Sequence, residues 1–212
     1  MTTCVSSGPR RRRRPPALRL LAAALSAAAA AAGPANAEPL SLHLDPALSS
    51  LAFTVSRPGE TVEGKAPAFS GELRVDPEHP EQGASVLLRV EAASLETGNG
   101  IRDRTMRKSH LEVGTFPQIV FQSTAVLLQD KRGPLRPGTP RQATVEGRLD
   151  LHGVARTIRI PVLLRYDGAS LAADGEVAFA LSDHKIAIPR FLWMVLDDKV
   201  TVRFHVVTGK AG

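Results

Sequence analysis

The side chains with the greatest chemical capacity in this 212-residue chain are six histidines, one cysteine and a dense run of cationic residues. The histidines, His43, His79, His110, His152, His184 and His205, are dispersed. No two of them lie at the short helical or turn spacings that preorganise zinc ligands. Each reads as a surface, strand or turn side chain, and no metal is expected. The one cysteine, Cys4, is near the N-terminus, so the chain beyond it has no thiol nucleophile and no disulfide. A Gly-x-Ser-x-Gly nucleophile elbow is absent. Gly98-Asn99-Gly100 lacks the lysine and the strand–helix setting of a phosphate-binding loop. No catalytic residue is assigned and no cofactor is expected.

The cationic run is Arg102-Asp103-Arg104 followed by Arg107-Lys108. It has two readings. Arg102 and Arg104 form a lip that meets an anionic head group such as a diphosphate, since guanidinium offers planar paired donors. Alternatively this is a solvated helix face, with Asp103 and Arg107 as an i,i+4 pair, the commoner fate of a charge run.

The apparent basicity of the whole chain does not extend to its body. Arg10 to Arg14, the apolar stretch Leu18 to Ala32, and Ala35-Asn36-Ala37 have the three-part layout of a secretory signal peptide, expected to span residues 1–37 and to be cleaved. That segment carries six arginines (Arg10 to Arg14 and Arg19) and no acid, so residues 38–212 hold 21 basic and 21 acidic residues. Net charge there is zero, and a nucleic-acid partner loses its electrostatic support. The expected product is periplasmic or secreted, with no transmembrane segment, and folds on its core alone.

Period-two alternation dominates that body. Leu51, Phe53 and Val55 share a face. Val86, Leu88 and Val90 alternate with Arg89 and Glu91; Val145, Gly147, Leu149 and Leu151 with Glu146, Arg148 and Asp150; Val200, Val202, Phe204 and Val206 with Thr201, Arg203 and His205. One apolar and one wet face per strand is the signature of an antiparallel sheet. About eight such strands with short turns predict an all-β barrel or sandwich. His152-Gly153 and Asp167-Gly168 predict hairpin turns, and Lys131 to Arg141 a hairpin loop. The spacing of Ile101, Met106 and Leu111 predicts one short helix starting near Asn99. Ser182 to Lys199 is irregular, and its Phe191-Leu192-Trp193-Met194 group, next to Pro189, reads either as a flap at a barrel mouth or as core.

Four ordered phrases resemble the YceI-like family. They are Phe69-Ser-Gly-Glu-Leu-Arg-Val-Asp76; Ala92-Ala-Ser-Leu-Glu-Thr-Gly-Asn99 with Ile101-Arg-Asp103; Phe116-Pro-Gln-Ile-Val-Phe-Gln-Ser-Thr124; and Glu146-Gly-Arg-Leu-Asp-Leu-His-Gly-Val-Ala-Arg156. The resemblance covers most of residues 41–207. It implies an eight-stranded antiparallel lipocalin-like β-barrel with one short helix over residues 38–212. It also implies a lumen that holds a polyisoprenoid or other lipid, and no catalytic residues. The chain departs from the family where many members have a histidine four residues after Phe53, here Arg57, and where an aromatic often follows the next glycine, here Ala66.

In such a barrel the inward apolar positions are Phe53, Val55, Phe69, Leu73, Leu88, Val90, Ile119, Phe121, Leu149, Ile160, Val162, Phe179, Val202 and Phe204. Arg102, Arg104, Lys185, Arg190 and Trp193 are the candidates for a head group or mouth. The leading expectation is an exported, non-catalytic carrier of a long apolar ligand. The competing expectation is an interaction module whose barrel is filled by its own side chains. An exported hydrolase is the weakest reading.

Overall fold

The computed structural model describes residues 39–130, 133–188, 190–191 and 194–210. The expected export segment and Trp193 lie outside the described residues. Twelve strands are described: β1 (Leu40–Leu44), β2 (Ser50–Arg57), β3 (Glu60–Lys65), β4 (Phe69–Val75), β5 (Ser85–Glu91), β6 (Gln118–Leu128), β7 (Arg141–Leu151), β8 (Val154–Tyr166), β9 (Leu171–Ala180), β10 (Arg190–Phe191), β11 (Met194–Val195) and β12 (Lys199–Lys210). One short helix, α1 (Gly100–Thr105), follows β5 and continues into a π-type turn over Met106–His110.

Eight strands close a ring in the order β1-β4-β5-β6-β7-β8-β9-β12, with β12 returning to β1. Every pairing around it is antiparallel. The expected eight-stranded barrel with one short helix is thus the observed fold. The alternation explains why the ring closes with its apolar face inward. On β7, Ala143, Val145, Leu149 and Leu151 are buried while Gln142 and Arg148, of the opposite parity, are exposed. A one-residue slip would exchange the two sets, so burial fixes register.

The first stave is less regular than the alternation suggests. β12 gives one edge to two strands in succession: Val200 to His205 pair with Val55 to Ser50 of β2, and Thr208 to Lys210 pair with Leu44 to Leu42 of β1. Between them Asp45–Ser49 turns aside. There the Ser49 hydroxyl donates to the Val207 carbonyl (3.3 Å) and accepts from the Val207 amide (2.9 Å), replacing ladder bonds that the turn removes. β2 then hairpins into β3, with Arg57 opposite Glu60.

Three lumen-facing phenylalanines lie over glycines of the neighbouring strand. Phe53 is opposite Gly64, Phe204 is opposite Gly175, and Phe121 sits against Gly147 near a shift in the β6–β7 register. A Cβ built on those glycines would meet the rings at 2.2, 2.5 and 2.5 Å, respectively. The rings occupy the space a side chain would otherwise fill and lie against the wall instead of across the lumen.

The two barrel ends differ. At one end stand α1, the β2–β3 turn, the His152-Gly153 turn between β7 and β8, and the 181–198 connection. His152 (φ 54°) and Gly153 (φ 68°) both take the left-handed conformation that such a two-residue hairpin requires. Ser182 anchors the connection: its amide donates to Asp198 (2.8 Å), and its hydroxyl bonds the same carboxylate. The hydroxyl and the amide together hold the Asp198 carboxyl below its ordinary range.

At the other end the 129–140 loop folds over the barrel. Arg141, 2% exposed, holds it there. Its guanidinium donates to Asp130 Oδ1 (2.6 Å) and to the carbonyls of Gly133 (3.0 Å), Pro134 (3.1 Å) and Asp130 (3.2 Å). This delivers Leu135 into a buried cluster with Leu42, Val75, Leu171 and Ala173.

Replacing Arg141 by Met should cost about 1–3 kcal/mol, because its carbonyl acceptors are stranded while Asp130 stays partly solvated. Urea unfolding measures this, and a loss below 1 kcal/mol would show that the loop holds without it. Gly175→Val should cost about 1–3 kcal/mol by driving the Phe204 ring off the wall, read in the same assay. In the β8–β9 turn, the Ser170 hydroxyl and amide and the Ala169 amide lower the Asp167 carboxyl from 3.8 to about 2. The native turn therefore gains stability above pH 3.8 and loses it as pH falls toward 2. The melting-point gap between wild type and Asp167→Asn should shrink over that interval; a constant gap would contradict the assignment.

Candidate functional site

The barrel encloses a cavity of about 790 Å³, running from α1 and the β2–β3 turn to the cluster under the 129–140 loop. This is within the usual range for small-molecule sites. Its walls are the inward rows of the strands. All the apolar positions expected to face the lumen line it except Phe69, which is half-buried on β4 but is not part of the lining. Phe69 has the same strand parity as Leu73 and Val75, so alternation alone places it inward; it belongs to the part of β4 beyond the β1 pairing, which runs from Glu72 to Val75.

Several lining residues were outside the strand pattern. Leu135 reaches the lumen from the loop held by Arg141, and Ile186 and Leu196 reach it from the irregular connection, while Leu181 continues the inward row of Val177 and Phe179. Ile101 of α1 lines the cavity and is 81% exposed, which puts an open mouth at that end. Ala66, where family members often carry an aromatic, is buried and lines the wall.

Polar lining is concentrated at the α1 end: Arg57, Thr97, Asn99, Arg102, Thr105 and His110. Asn99 caps the helix by accepting from the amides of Ile101 and Arg102 (both 3.1 Å), as its position before the helical spacing predicts. Arg102 is fixed: Nε donates to Thr97 Oγ1 (2.7 Å) and Nη2 to the Thr97 carbonyl (3.0 Å). The Thr97 hydroxyl in turn donates to Asp103 (2.5 Å), which is 6% exposed and also accepts the Thr97 amide (2.9 Å). Arg57 pairs with Glu60 across the β2–β3 turn. At the opposite end, the Thr208 hydroxyl is satisfied by the Leu171 amide (2.9 Å) and carbonyl (3.1 Å).

The solvated-helix reading of the cationic run is corrected in detail. Asp103 and Arg107 do not pair; Asp103 is buried against Thr97, and Arg107 Nε and Nη2 donate to the Leu95 carbonyl at 3.0 and 2.8 Å. The 92–99 turn supplies both partners: the Thr97 amide and hydroxyl donate to Asp103, and the Leu95 carbonyl accepts from Arg107. Arg104 is exposed and lies outside the lining, on the outer side of α1, and Lys185 is likewise exposed and outside it. The backbone of Arg190 is in β10, paired with Val195. Among the candidates whose side chains are described, Arg102 is therefore the mouth residue that reaches the cavity, and Arg57, noted in the sequence as a departure, joins it.

His184 is fully buried beside the lumen, 5.5 Å from the Phe179 ring centre, with Nδ1 2.9 Å from the Val154 carbonyl. Its sequence position in an irregular stretch gave no sign of burial. Among the described residues no three His, Cys, Asp or Glu side chains come together in a way that could hold a metal ion.

Comparison with known proteins agrees with this architecture. No curated protein matches the sequence. Among solved structures, Burkholderia cenocepacia BcnA superimposes with a TM-score of 0.67 at 24% identity, covering 77% of this chain and 98% of that one. A polyisoprenoid binding domain from Saccharophagus degradans gives 0.64 at 17%, covering 81% and 99%. The Campylobacter jejuni YCEI protein gives 0.57 at 17%, covering 72% and 87%. At these identities the likeness speaks to fold. The YceI-like domain itself matches residues 42–208, which span the closed ring from β1 to β12, and the chain belongs to the YceI-like domain family.

Proposed function

We propose that this protein is an exported, non-catalytic carrier that holds a long apolar ligand, a polyisoprenoid or another lipid, inside the barrel. The observation that carries the reading is the apolar lumen of about 790 Å³, kept open by phenylalanines that lie against glycines. A barrel filled by its own side chains would leave no such volume. The Saccharophagus degradans domain of the same fold, a polyisoprenoid binding domain, supports the ligand class. The composition of residues 1–37 supports export to the periplasm or beyond.

A hydrocarbon chain offers no hydrogen bonds, so affinity has to come from dryness and fit. At ~0.8 kcal/mol per buried CH₂, ten such groups supply on the order of 8 kcal/mol before the cost of association. No charged contact is required for that. No lining residue is assigned a chemical step, and the polar groups at the α1 end are engaged in holding the 97–107 region or stand at the mouth.

Organic extraction of protein purified from its native host, followed by mass spectrometry, should release a prenyl or acyl lipid. The extracted protein should then rebind chains of that class in a titration. Protein that is empty and binds neither prenyl nor acyl chains would overturn the reading. Ester or phosphoester turnover lost in no lumen variant would point instead to a hydrolase outside the barrel.

A further inference from the structure

The outer side of α1 takes no part in holding the barrel together. Along residues 100–110 the inward positions are committed: Asp103 is buried on Thr97, Arg102 also binds Thr97, and Arg107 donates to the Leu95 carbonyl. The positions left exposed are Ile101, Arg104, Thr105, Lys108 and Ser109. Their i, i+3, i+4, i+7, i+8 spacing sets them along one side of the helical segment.

Two properties meet on that side. Ile101 is 81% exposed, the most of any large apolar side chain among the described residues. Behind it follow four cations within seven residues, Arg102, Arg104, Arg107 and Lys108. The side chains of Arg104 and Lys108 have no hydrogen-bond or ion-pair partner among the described residues. With Arg107 they line an open depression between the helical segment and the 112–115 turn. The two acids that also line it are engaged elsewhere, Asp103 with Thr97 and Glu112 beside His152 Nε2 at 3.7 Å. Residues 38–212 carry equal numbers of basic and acidic residues, so this excess is local and not a share of a general positive charge.

We propose that the exposed side of α1, with the turn after it, is a docking surface for an anionic phospholipid bilayer. Short amphipathic segments lie on membranes with their cations at the level of the lipid phosphates and an apolar side chain entering below them. Charge alone would suit any polyanion. The open Ile101 selects a bilayer, whose acyl region gives that side chain an apolar place to go. The surface also has a direction. Ile101 stands at the open mouth, so docking there points the lumen at the bilayer, and a hydrocarbon chain passes between them without crossing water. The surface itself stands on the residues of α1; only the use of its direction rests on the reading of the lumen as a lipid cavity.

Co-sedimentation with vesicles tests this on residues 38–212. Their ring is complete between Leu40 and Lys210, and their use takes the basic N-terminal segment out of the measurement. Mixed phosphatidylglycerol and phosphatidylcholine vesicles should bind the protein roughly tenfold more tightly than phosphatidylcholine alone. Raising the salt concentration should reduce that binding. A cation near an anionic surface contributes roughly fivefold, so Arg104→Gln with Lys108→Gln should weaken binding by roughly twentyfold. Ile101→Ser should weaken it by roughly threefold or more. Arg74→Gln with Arg89→Gln, the same loss of charge from the outer wall of β4 and β5, should leave it nearly unchanged. Circular dichroism confirms that each variant is folded. Equal binding to neutral and mixed vesicles, or equal weakening by the two charge-removing pairs, would overturn the docking surface and leave the lumen reading to its own titration. Binding to soluble polyglutamate as tight as to the mixed vesicles, and indifferent to Ile101→Ser, would assign the surface to an acidic protein and overturn the bilayer. Charge-dependent vesicle binding by protein that takes up no prenyl or acyl chain would support the surface and overturn the lumen reading.

Discussion

Strand β12 must find hydrogen-bond partners on both edges along its whole length, and the rest of the barrel follows from how it does so. One edge pairs with β9 from Lys199 to Val207. The other is shared between β2 and β1, and the second of these contacts closes the ring. An open sheet of this length would present a free edge to other chains, and closure removes it. Closure also creates the inside. Once eight strands return on themselves, their inward rows have only each other or a guest to face.

What keeps that inside from collapsing is a distribution of size more than of polarity. Gly64, Gly147 and Gly175 give up side chains so that Phe53, Phe121 and Phe204 can lie along the wall. The polar groups are segregated to one end and tied down locally: Thr97, Asp103, Arg102 and Arg107 bind one another or the 92–99 turn, which leaves the helix rigid without polar intrusion further down. At the far end Arg141 does comparable work from a nearly inaccessible position, using a buried charge to hold a loop whose Leu135 completes the seal. A buried guanidinium is costly to desolvate, and here its donors meet a carboxylate and three carbonyls.

The sequence announced the wall clearly because the wall is periodic. Alternation on β5, β7 and β12 marked which residues face inward, and the turns at His152-Gly153 and Asp167-Gly168 followed from positive-φ chemistry. Asn99 announced the helix because a cap is a local feature. What the sequence did not reveal is long-range or aperiodic. The split of the first stave depends on β12 accepting two partners in tandem. Leu135, Ile186 and the wholly buried His184 come from loops, where burial is decided by what folds over them. Arg107 looked like a helix-pair partner because spacing gives proximity but not competing acceptors, and the Leu95 carbonyl was the better one. Phe69 has the right parity and is still outside the lining, although Val90 opposite it lines the cavity; it lies on the part of β4 that β1 does not pair.

The Asp45–Ser49 jog has a consequence for how the family can vary. β1 and β2 are each registered on β12 independently, with the Ser49 hydroxyl bridging the interval at Val207. Residues added between them would shift neither set of pairs. This makes the jog a seam at which chain length is uncoupled from barrel geometry. Natural insertions, or a grafted peptide, can be accommodated there without re-registering the wall.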